Sequence, residues 1–268
     1  MKKYPGRLVL LGHPVSHSLS AVFQSAALKA ASIPLTYESI DVVPSELQST
    51  LRKLKSSNAA GNVTIPHKVV VHDACDRLTD LATQVGAVNT FWFDSRTLWG
   101  DNTDVGGFDA AVRALIGDQV AGARLVLIGA GGAAAAVLAA ASAWSDAEVR
   151  IVARNSERAA ALARRFPDVA RAEMTVKRAL TGATLIVNAT PVGQHDDDHP
   201  LDLAKIPKSA AVLDLVYRRD GTAWVKAARK RGMRAADGLP MLLEQGALAF
   251  RRWFGEDPDR EAMRLSVL

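Results

Sequence analysis

Residues 125–136 read LVLIGAGGAAAA, and this stretch decides the class of fold. The apolar run Leu125–Ile128 predicts a short buried strand, and the alanine-rich run that follows to Ala143 predicts a helix. The turn between them holds three glycines, Gly129, Gly131 and Gly132. A strand, a glycine turn and a helix in this order are typical of the first half of a nucleotide-binding βαβ unit.

Each small residue of the turn has a physical role in such a unit. Gly129 allows a sharp turn, and Gly131 has no side chain to keep a pyrophosphate from the backbone. Ala134 occupies the third position of G-x-G-x-x-G/A, where a small residue lets the helix pack close to the strand. The N–H groups at the start of the helix then face the phosphates. The pattern predicts a dinucleotide site; the alternative is a glycine-rich turn without a ligand.

The bulk composition is that of a globular protein without a membrane span. The chain has 268 residues, 49% of them hydrophobic and 23% charged, and a net charge of +5. This modest charge favours small anionic ligands over nucleic acid, and the basic run 226–234 is interpreted as the solvated face of a helix. The start of the chain predicts no signal peptide. The single Cys75 excludes an internal disulfide and is typical of the reducing cytoplasm.

Alternating strand and helix patterns over most of the chain predict an α/β protein. A helix predicted from Ser20 has Ser18 or Ser20 as its expected N-cap. The segment DNTDVGG at 101–107 interrupts the pattern and marks a domain boundary. We therefore expect two α/β domains, one of residues 1–100 with 239–268, the other of residues 101–238.

The end of the strand predicted at 148–153 indicates which dinucleotide is bound. NAD sites usually carry an acidic residue there, whereas this chain has Arg154 and, one helical turn later, Arg158. Two guanidinium groups can bind a ribose 2′-phosphate, so the sequence favours NADP over NAD. The nearest acid, Glu157, lies inside the predicted helix start. The alternative is that both arginines are surface helix charges.

Polar motifs at strand ends in the rest of the chain resemble those of the shikimate dehydrogenase family. Matching segments extend over nearly the whole length, and the motifs are G-x-P-x-x-H-S-x-S from Gly12, N-V-T-x-P-x-K from Asn62, G-A-V-N-T from Gly86, D-N-T-D from Asp101, G-A-G-G-A from Gly129, N-A-T from Asn188, D-x-V-Y from Asp214 and G-x-x-M-L-x-x-Q-G-A from Gly238. Members of this family reduce the ketone of 3-dehydroshikimate to the alcohol of shikimate with NADPH.

The resemblance implies a role for each matching residue. The catalytic pair is Lys68 and Asp104. The substrate-binding positions are Ser18, Ser20, Asn62, Thr64, Asn89, Tyr217 and Gln245. The NADP positions are Gly129, Ala130, Gly131, Gly132, Ala133, Arg154, Arg158, Gly238 and Met241. The fold it implies is an N-terminal substrate-binding domain and a Rossmann-like NADP-binding domain, with the C-terminal helices returning to the first and the ligands meeting in a cleft.

The expected chemistry agrees with this catalytic pair. Hydride transfer to a ketone builds negative charge on the oxygen, which must meet a proton donor in the same step. The ammonium group of Lys68 suits this role, and the carboxylate of Asp104 can orient it. The histidines His13, His17 and His67 are alternative proton donors, but no metal site is predicted, because the usual ligand spacings are absent. The loop at 195–199, HDDDH, is interpreted as solvated rather than cation-binding.

Several positions depart from the usual family pattern. They are Ala21, Ala153, Asn155, Pro191 and the segment 218–220. They leave open a preference for quinate or an aminated shikimate, and Ala153 and Asn155 remove one expected hydrogen bond near the adenosine ribose. A non-catalytic NADP-binding regulator is a further alternative, which the presence of both Lys68 and Asp104 disfavours. The expected partners are small molecules, and the chain is expected to be a monomer or homodimer.

Overall fold

The computed structural model of the chain describes residues 4–16 and 18–268. It divides into two compact units, Met1–Gly107 with Leu242–Leu268, and Phe108–Met241. The first division lies inside a helix, a few residues later than the predicted boundary at residue 100. Asp104 therefore belongs to the first unit rather than, as expected, to the second.

The elements of the first unit alternate between strand and helix. They are β1 (Arg7–Gly12), α1 (Ser20–Ala30), β2 (Tyr37–Asp41), α2 (Leu47–Ser56), β3 (Ala59–Val63), α3 (Lys68–Ala74), β4 (Arg77–Leu78), α4 (Asp80–Val85), β5 (Thr90–Asp94), β6 (Thr97–Asp101) and the start of α5 (Asp104–Ile116). The described strands form a sheet in the order β2-β1-β3-β5-β6-β4. Strands β2, β1 and β3 are parallel, whereas β5 is antiparallel to both β3 and β6.

Strand β1 shows why this sheet is buried on both faces. Leu8 and Leu10 pack into one apolar cluster, and Val9 and Leu11 pack into another on the opposite face. A continuous apolar run of this kind is typical of a central parallel strand covered by helices on both sides. The edge that carries the strand ends is therefore the place where polar side chains can reach a ligand.

The second unit follows the same alternation with a different sheet. Its elements are the rest of α5, β7 (Arg124–Ile128), α6 (Gly132–Ala141), β8 (Glu148–Val152), α7 (Ser156–Arg164), β9 (Ala170–Ala172), α8 (Val176–Ala179), β10 (Leu185–Asn188), β11 (Ala211–Asp214), α9 (Ala223–Lys230), β12 (Ala235–Ala236) and the start of α10 (Leu239–Phe254). After α10, the chain ends in the first unit with α11 (Arg260–Leu265).

All described strands of the second sheet are parallel, in the order β12-β11-β10-β7-β8-β9. With β7 as the first strand, this is the doubly wound order of dinucleotide-binding domains, which confirms the predicted Rossmann-like fold. The order reverses between β7 and β10. The crevice beyond the carboxyl ends of these two strands is where such sheets bind ligands.

The basic run 226–234 lies largely on the exposed face of an amphipathic helix, as predicted. In α9 the apolar residues Trp224 and Val225 are buried, while Lys226, Arg229 and Lys230 are exposed. Separately, no helix among residues 4–16 and 18–268 combines the length and apolar character needed to cross a membrane.

Candidate active site

A lysine and an aspartate at two helix starts form a close ion pair in the first unit. Lys68 is the first residue of α3, and Asp104 is the first residue of α5. The Nζ atom of Lys68 donates a hydrogen bond to Oδ2 of Asp104 at 2.5 Å. Their side chains are 24% and 10% exposed, respectively. The pair is thus largely withdrawn from water while both side chains keep some accessible surface.

The amide of Asn89 fixes the orientation of the Asp104 carboxylate. Asn89 directly precedes β5, and its Nδ2 atom donates to Oδ1 of Asp104 at 2.7 Å. The same nitrogen lies 3.2 Å from Oε1 of Gln245 in α10, and Nε2 of Gln245 donates to the carbonyl of Leu242 at 2.7 Å. Four of the predicted site residues therefore form one hydrogen-bonded group: Lys68, Asp104, Asn89 and Gln245.

Asn62 is buried, and its side-chain amide is bonded to other protein groups. It is 4% exposed, and its Nδ2 donates to the carbonyl of Asn89 at 3.1 Å and to Oγ1 of Thr90 at 3.0 Å. Its Oδ1 accepts a hydrogen bond from the Tyr37 hydroxyl at 2.8 Å. Both amide protons are engaged within the protein, so the geometry favours an indirect contribution of Asn62 through its neighbours.

The hydroxyl residues Ser18, Ser20 and Thr64 lie at the carboxyl-terminal side of β1 and β3. Helix α1 begins at Ser20, and Leu19 is its N-cap without a side-chain hydrogen bond. The prediction that Ser18 or Ser20 is the N-cap is therefore wrong, because Ser20 is already helical and Ser18 lies one residue too early. The Oγ of Ser18 nevertheless accepts a hydrogen bond from the Ser20 N–H at 3.2 Å.

The histidines considered as proton donors are engaged elsewhere or lie outside the described residues. The ring of His67 is buried, and its Nε2 lies 2.6 Å from the carbonyl of Val42. Nδ1 of His13 lies 2.5 Å from Oδ1 of Asp41. His17 falls outside the part of the chain that the structure describes.

In the second unit, the loops after β7 and β10 meet at the point where the strand order reverses. Gly129 has a φ of +111°, and a Cβ atom there would lie 2.9 Å from the carbonyl oxygen of Ala189. Only glycine fits this combination of dihedral angle and close approach. The loop after β10 is itself held by Asn188, whose Oδ1 accepts from both the N–H and the hydroxyl of Thr190 at 3.0 and 2.6 Å.

The start of α6 has the space and the donors that a pyrophosphate needs. Gly131 and Gly132 are exposed, and a Cβ atom at either would meet no atom within 4 Å. Gly131 is the N-cap and provides no side-chain hydrogen bond to the first turn. There is thus open space beside the first turn, whose N–H groups receive no side-chain cap, and Ala130 and Ala133 next to it are half-buried. The residues present fit a dinucleotide phosphate.

Two arginines lie just after the end of β8, and a different residue is the N-cap of the helix that follows. Arg154 and Arg158 are both exposed. Asn155 is the N-cap of α7, and its Oδ1 accepts from the Arg158 N–H at 2.8 Å. Asn155 thus stabilises the helix whose first turn carries Arg158. The only acid in that turn, Glu157, is also exposed.

Comparison with known proteins identifies the family. The family model of the shikimate dehydrogenase substrate-binding domain matches residues 10–91, and that of the shikimate 5′-dehydrogenase C-terminal domain matches residues 238–268. The shikimate dehydrogenase (NADP(+)) of Synechocystis is 36% identical over 97% of this chain and 94% of that protein. The chain belongs to the shikimate dehydrogenase family.

Solved structures agree with this assignment. The shikimate dehydrogenase of Aquifex aeolicus is 34% identical, with a TM-score of 0.92 over 97% of both chains. The enzyme of Thermus thermophilus, solved with NADP(H) and shikimate, is 35% identical, with a TM-score of 0.87 over 97% of this chain and 98% of that one. A quinate dehydrogenase of Corynebacterium glutamicum solved with NAD is more distant in sequence, at 28% identity, with a TM-score of 0.88 over 97% of both chains.

The remaining positions matched to the shikimate dehydrogenase family lie near the end of the second unit. A Cβ atom on Gly238 would lie 2.2 Å from the carbonyl oxygen of Leu215, so this glycine allows the chain to pass close to the end of β11. Tyr217 is half-buried, and Met241 is buried in the first turn of α10.

Two carboxyl groups largely withdrawn from water lie at this end of the second sheet, Asp214 buried and Asp237 half-buried. Asp214 accepts hydrogen bonds from Asn188 Nδ2 at 2.8 Å, the Thr222 hydroxyl at 2.8 Å and the Val216 N–H at 3.1 Å. Burial is the main cause that raises the pKa of Asp214, and it likewise raises the pKa of Asp237. The two aspartates therefore bind protons more tightly than exposed aspartates do.

The sequence reasoning missed residues that act behind the predicted ones. Thr90 and Thr103 bond to Asn89, and Tyr37 bonds to Asn62. Thr90 is the last residue of G-A-V-N-T, and Thr103 lies inside D-N-T-D. Both threonines therefore lie within motifs that the sequence shows, but the pairing of the strands is needed to show which side chains lie on the same face of the sheet.

Proposed function

We propose that the chain catalyses the reversible, NADP-dependent reduction of 3-dehydroshikimate to shikimate. The observation that carries this proposal is the Lys68–Asp104 pair, held at 2.5 Å at one edge of the first sheet in a chain that belongs to the shikimate dehydrogenase family. A module that only binds a nucleotide has no need of this pair. In this proposal the first unit binds the substrate and the second binds the cofactor.

Lys68 acts on the oxygen that changes charge. Bound NADPH supplies a hydride to the C3 carbonyl carbon, and the C=O π electrons move onto the oxygen. That oxygen takes a proton from the Lys68 ammonium, which leaves the alcohol of shikimate and a neutral amine. Because the oxygen is more negative in the transition state than in the ketone, the hydrogen bond from Lys68 strengthens along the reaction and lowers the barrier.

Asp104 keeps the ammonium in place and provides a route for its reprotonation. One oxygen accepts from Lys68, and the other accepts from Asn89 Nδ2 at 2.7 Å. With both oxygens held, the carboxylate can orient the lysine without rotating. In the reverse direction the same group supports Lys68 as the base that takes the proton from the shikimate hydroxyl.

Ser18 and Ser20 are proposed to bind the substrate carboxylate, and Thr64 and Gln245 its hydroxyl groups. A serine hydroxyl that accepts one hydrogen bond, as Ser18 does from the Ser20 N–H, still has a proton to donate. Replacing both serines by alanine should raise the KM for shikimate and leave the NADP affinity unchanged. Melting curves of the same variant separate this loss from a loss of helix stability.

The second unit holds the cofactor through three features. The turn at Gly131 and Gly132 offers space and N–H donors for the pyrophosphate, and Arg154 with Arg158 offers positive charge for the 2′-phosphate. Met241 and Gly238 are proposed to lie near the nicotinamide. The absence of an acid at the end of β8 favours NADP over NAD.

A substrate panel tests the proposal directly. Initial rates with shikimate, quinate and aminoshikimate, each with NADP and with NAD, should give the highest kcat/KM for shikimate with NADP, by at least about tenfold. A preference for quinate would reassign the substrate within the family. Tight NADP binding without turnover of any substrate would indicate a regulator and contradict the proposed function.

We also propose that the chain works in a reducing, cytoplasmic setting as a monomer or homodimer that binds no nucleic acid. The basis is the net charge of +5 and the single thiol of Cys75, whose pKa burial raises to about 12. A thiol with so high a pKa is largely un-ionised at neutral pH and reacts slowly. Light scattering after size-exclusion chromatography determines the oligomeric state.

A further inference from the structure

Thr90 has a buried hydroxyl with hydrogen-bond partners on three different residues near the catalytic pair. Its Oγ1 lies 3.0 Å from each of three partners: Nδ2 of Asn62, Oδ1 of Asn89 and Oγ1 of Thr103. Thr90 itself is 0% exposed. A side chain so enclosed cannot touch a substrate, so any effect on the reaction must act through its neighbours.

The sheet explains why these side chains meet. Strands β3 and β5 are antiparallel, and Asn62 lies directly opposite Thr90 in their register. Residues opposite each other in such a pair project from the same face, which places the Asn62 amide against the Thr90 hydroxyl. Thr103 follows β6, the neighbour of β5 on its other side. The hydroxyl therefore joins three strand ends.

Two hydrogen bonds to the side-chain oxygen of Asn89, one of them from Thr90, determine which way its amide points. Oδ1 of Asn89 accepts from the Thr103 N–H at 2.8 Å and from the Thr90 hydroxyl at 3.0 Å. The Nδ2 atom is thereby turned toward Oδ1 of Asp104, at 2.7 Å. The opposite orientation would set an amide oxygen against the carboxylate and an NH₂ group against an N–H, and both contacts are repulsive.

We propose that Thr90 is a positioning residue of the reaction. It holds the Asn89 amide so that Nδ2 orients the Asp104 carboxylate, whose other oxygen holds Lys68. This inference deepens the proposed function and rests on it. The chain of bonds continues on the far side through Asn62 to the buried hydroxyl of Tyr37.

Two substitutions at one position test the inference. Thr90→Val keeps the shape and the β-branch but removes the hydroxyl, whereas Thr90→Ser keeps the hydroxyl. We expect Thr90→Val to lower kcat by about tenfold, because a misplaced catalytic group is costly, and to leave the KM for NADP unchanged. Thr90→Ser should stay within about threefold of the wild type, since its hydroxyl can make the same bonds.

Thr222→Val is the matched control for lost stability. Thr222 is also a 0% exposed threonine whose hydroxyl donates one hydrogen bond, but its partner is Asp214 in the second unit. Both valine variants should lose thermal stability, while kcat at saturating substrates should fall only in Thr90→Val. Equal kcat losses in the two variants would overturn the inference, because they would reflect destabilisation alone.

A double-mutant cycle with Asp104→Asn separates positioning from a general structural effect. If Thr90 acts through the carboxylate, Thr90→Val should change kcat by less than about twofold in the Asp104→Asn background, because the carboxylate that it helps to orient is already absent there. Multiplicative losses would overturn the inference. A wild-type chain without shikimate turnover would instead contradict the proposed function, and wild-type turnover with an unaffected Thr90→Val would contradict the inference alone.

Discussion

Replacing Lys68 by methionine removes the ammonium and keeps the length of the side-chain stem that carries it. A positioned proton donor typically contributes a factor of about 10² to 10⁴, which is about 2.7–5.5 kcal/mol at about 1.36 kcal/mol per factor of ten. The structure places the expected loss in the lower half of this range. Lys68 is 24% exposed, so water can take part of its place, and Asp104 keeps its hydrogen bond from Asn89. We expect kcat to fall by about 10² to 10³.

Steady-state rates with shikimate and NADP measure this loss. The KM for shikimate should change by less than about tenfold, because the lost contact strengthens mainly in the transition state. Asp104→Asn should be similar but milder, since it keeps the shape and loses the charge. The double variant should lie within about threefold of Lys68→Met, because the two residues act as one unit.

A surface lysine supplies the control for the Lys68 variant. Lys53 is exposed on α2, and Lys53→Met makes the same chemical change away from the pair. It should leave kcat unaltered. A kcat for Lys68→Met within about threefold of the wild type would refute the reasoning, and the proton would then have to come from water held by Asp104 or from His17.

Three further predictions concern the second unit. Replacing Arg154 and Arg158 together by alanine removes two charge-assisted contacts worth about 1.5–3 kcal/mol each. Calorimetric titration should therefore show at least tenfold weaker NADP binding and little change in NAD binding. Equal losses for both cofactors would show that the arginines do not bind the 2′-phosphate. Gly129→Ala should cost about 1–3 kcal/mol of stability in melting curves because of its φ of +111°, whereas Gly131→Ala should leave the stability unchanged and weaken NADP binding. Burial raises the pKa of Asp214 in the folded protein above its value of about 4 in the unfolded chain, so the free energy of unfolding falls as pH rises from about 4 through the raised pKa. Asp214→Asn removes this titration, and its free energy of unfolding relative to the wild type should therefore increase with pH in urea melts.

The long elements could be predicted from the sequence because their patterns are local. The turn between β7 and α6 follows from an apolar run and glycine positions. The sequence pattern also predicts a strand over Leu185–Asn188 and a helix over Leu239–Phe254, and β10 and α10 have these bounds. The short strands β4, β9 and β12 were not predicted. Each has two or three residues, too few to show alternation, and each is held by a partner strand distant in the sequence.

Helix α5 shows how tertiary packing overrides a local signal. The paired glycines Gly106 and Gly107 disfavour a helix, and the sequence pattern predicts one only over Phe108–Ile116. The helix instead begins at Asp104. A Cβ atom on Gly106 would lie 2.6 Å from Cδ1 of Leu248, so a glycine lets α10 pack against this turn without a shift of the Leu248 side chain.

The predicted site residues matched motifs, but their cooperation depends on strand direction. In a wholly parallel sheet, Asn89 would lie at the edge opposite the ends of the other strands, because it precedes its strand. The two-residue turn at Ser95 and Arg96, both with positive φ, reverses the chain between β5 and β6. Strand β5 is also antiparallel to β3, so it starts at the edge where β3 and β6 both end.

This reversal brings three sequence segments to one edge of the first sheet. The segment after β3 supplies Lys68, the segment before β5 supplies Asn89, and the segment after β6 supplies Asp104. The rule that α/β sheets bind ligands at the carboxyl ends of their strands thus extends here to the amino end of one antiparallel strand. The catalytic group consists of an amide, a carboxylate and an ammonium within hydrogen-bond distance, and the antiparallel strand β5 is what brings the amide to the other two. The hydroxyl of Thr90, at the first position of β5, joins the strands next to which these three groups lie.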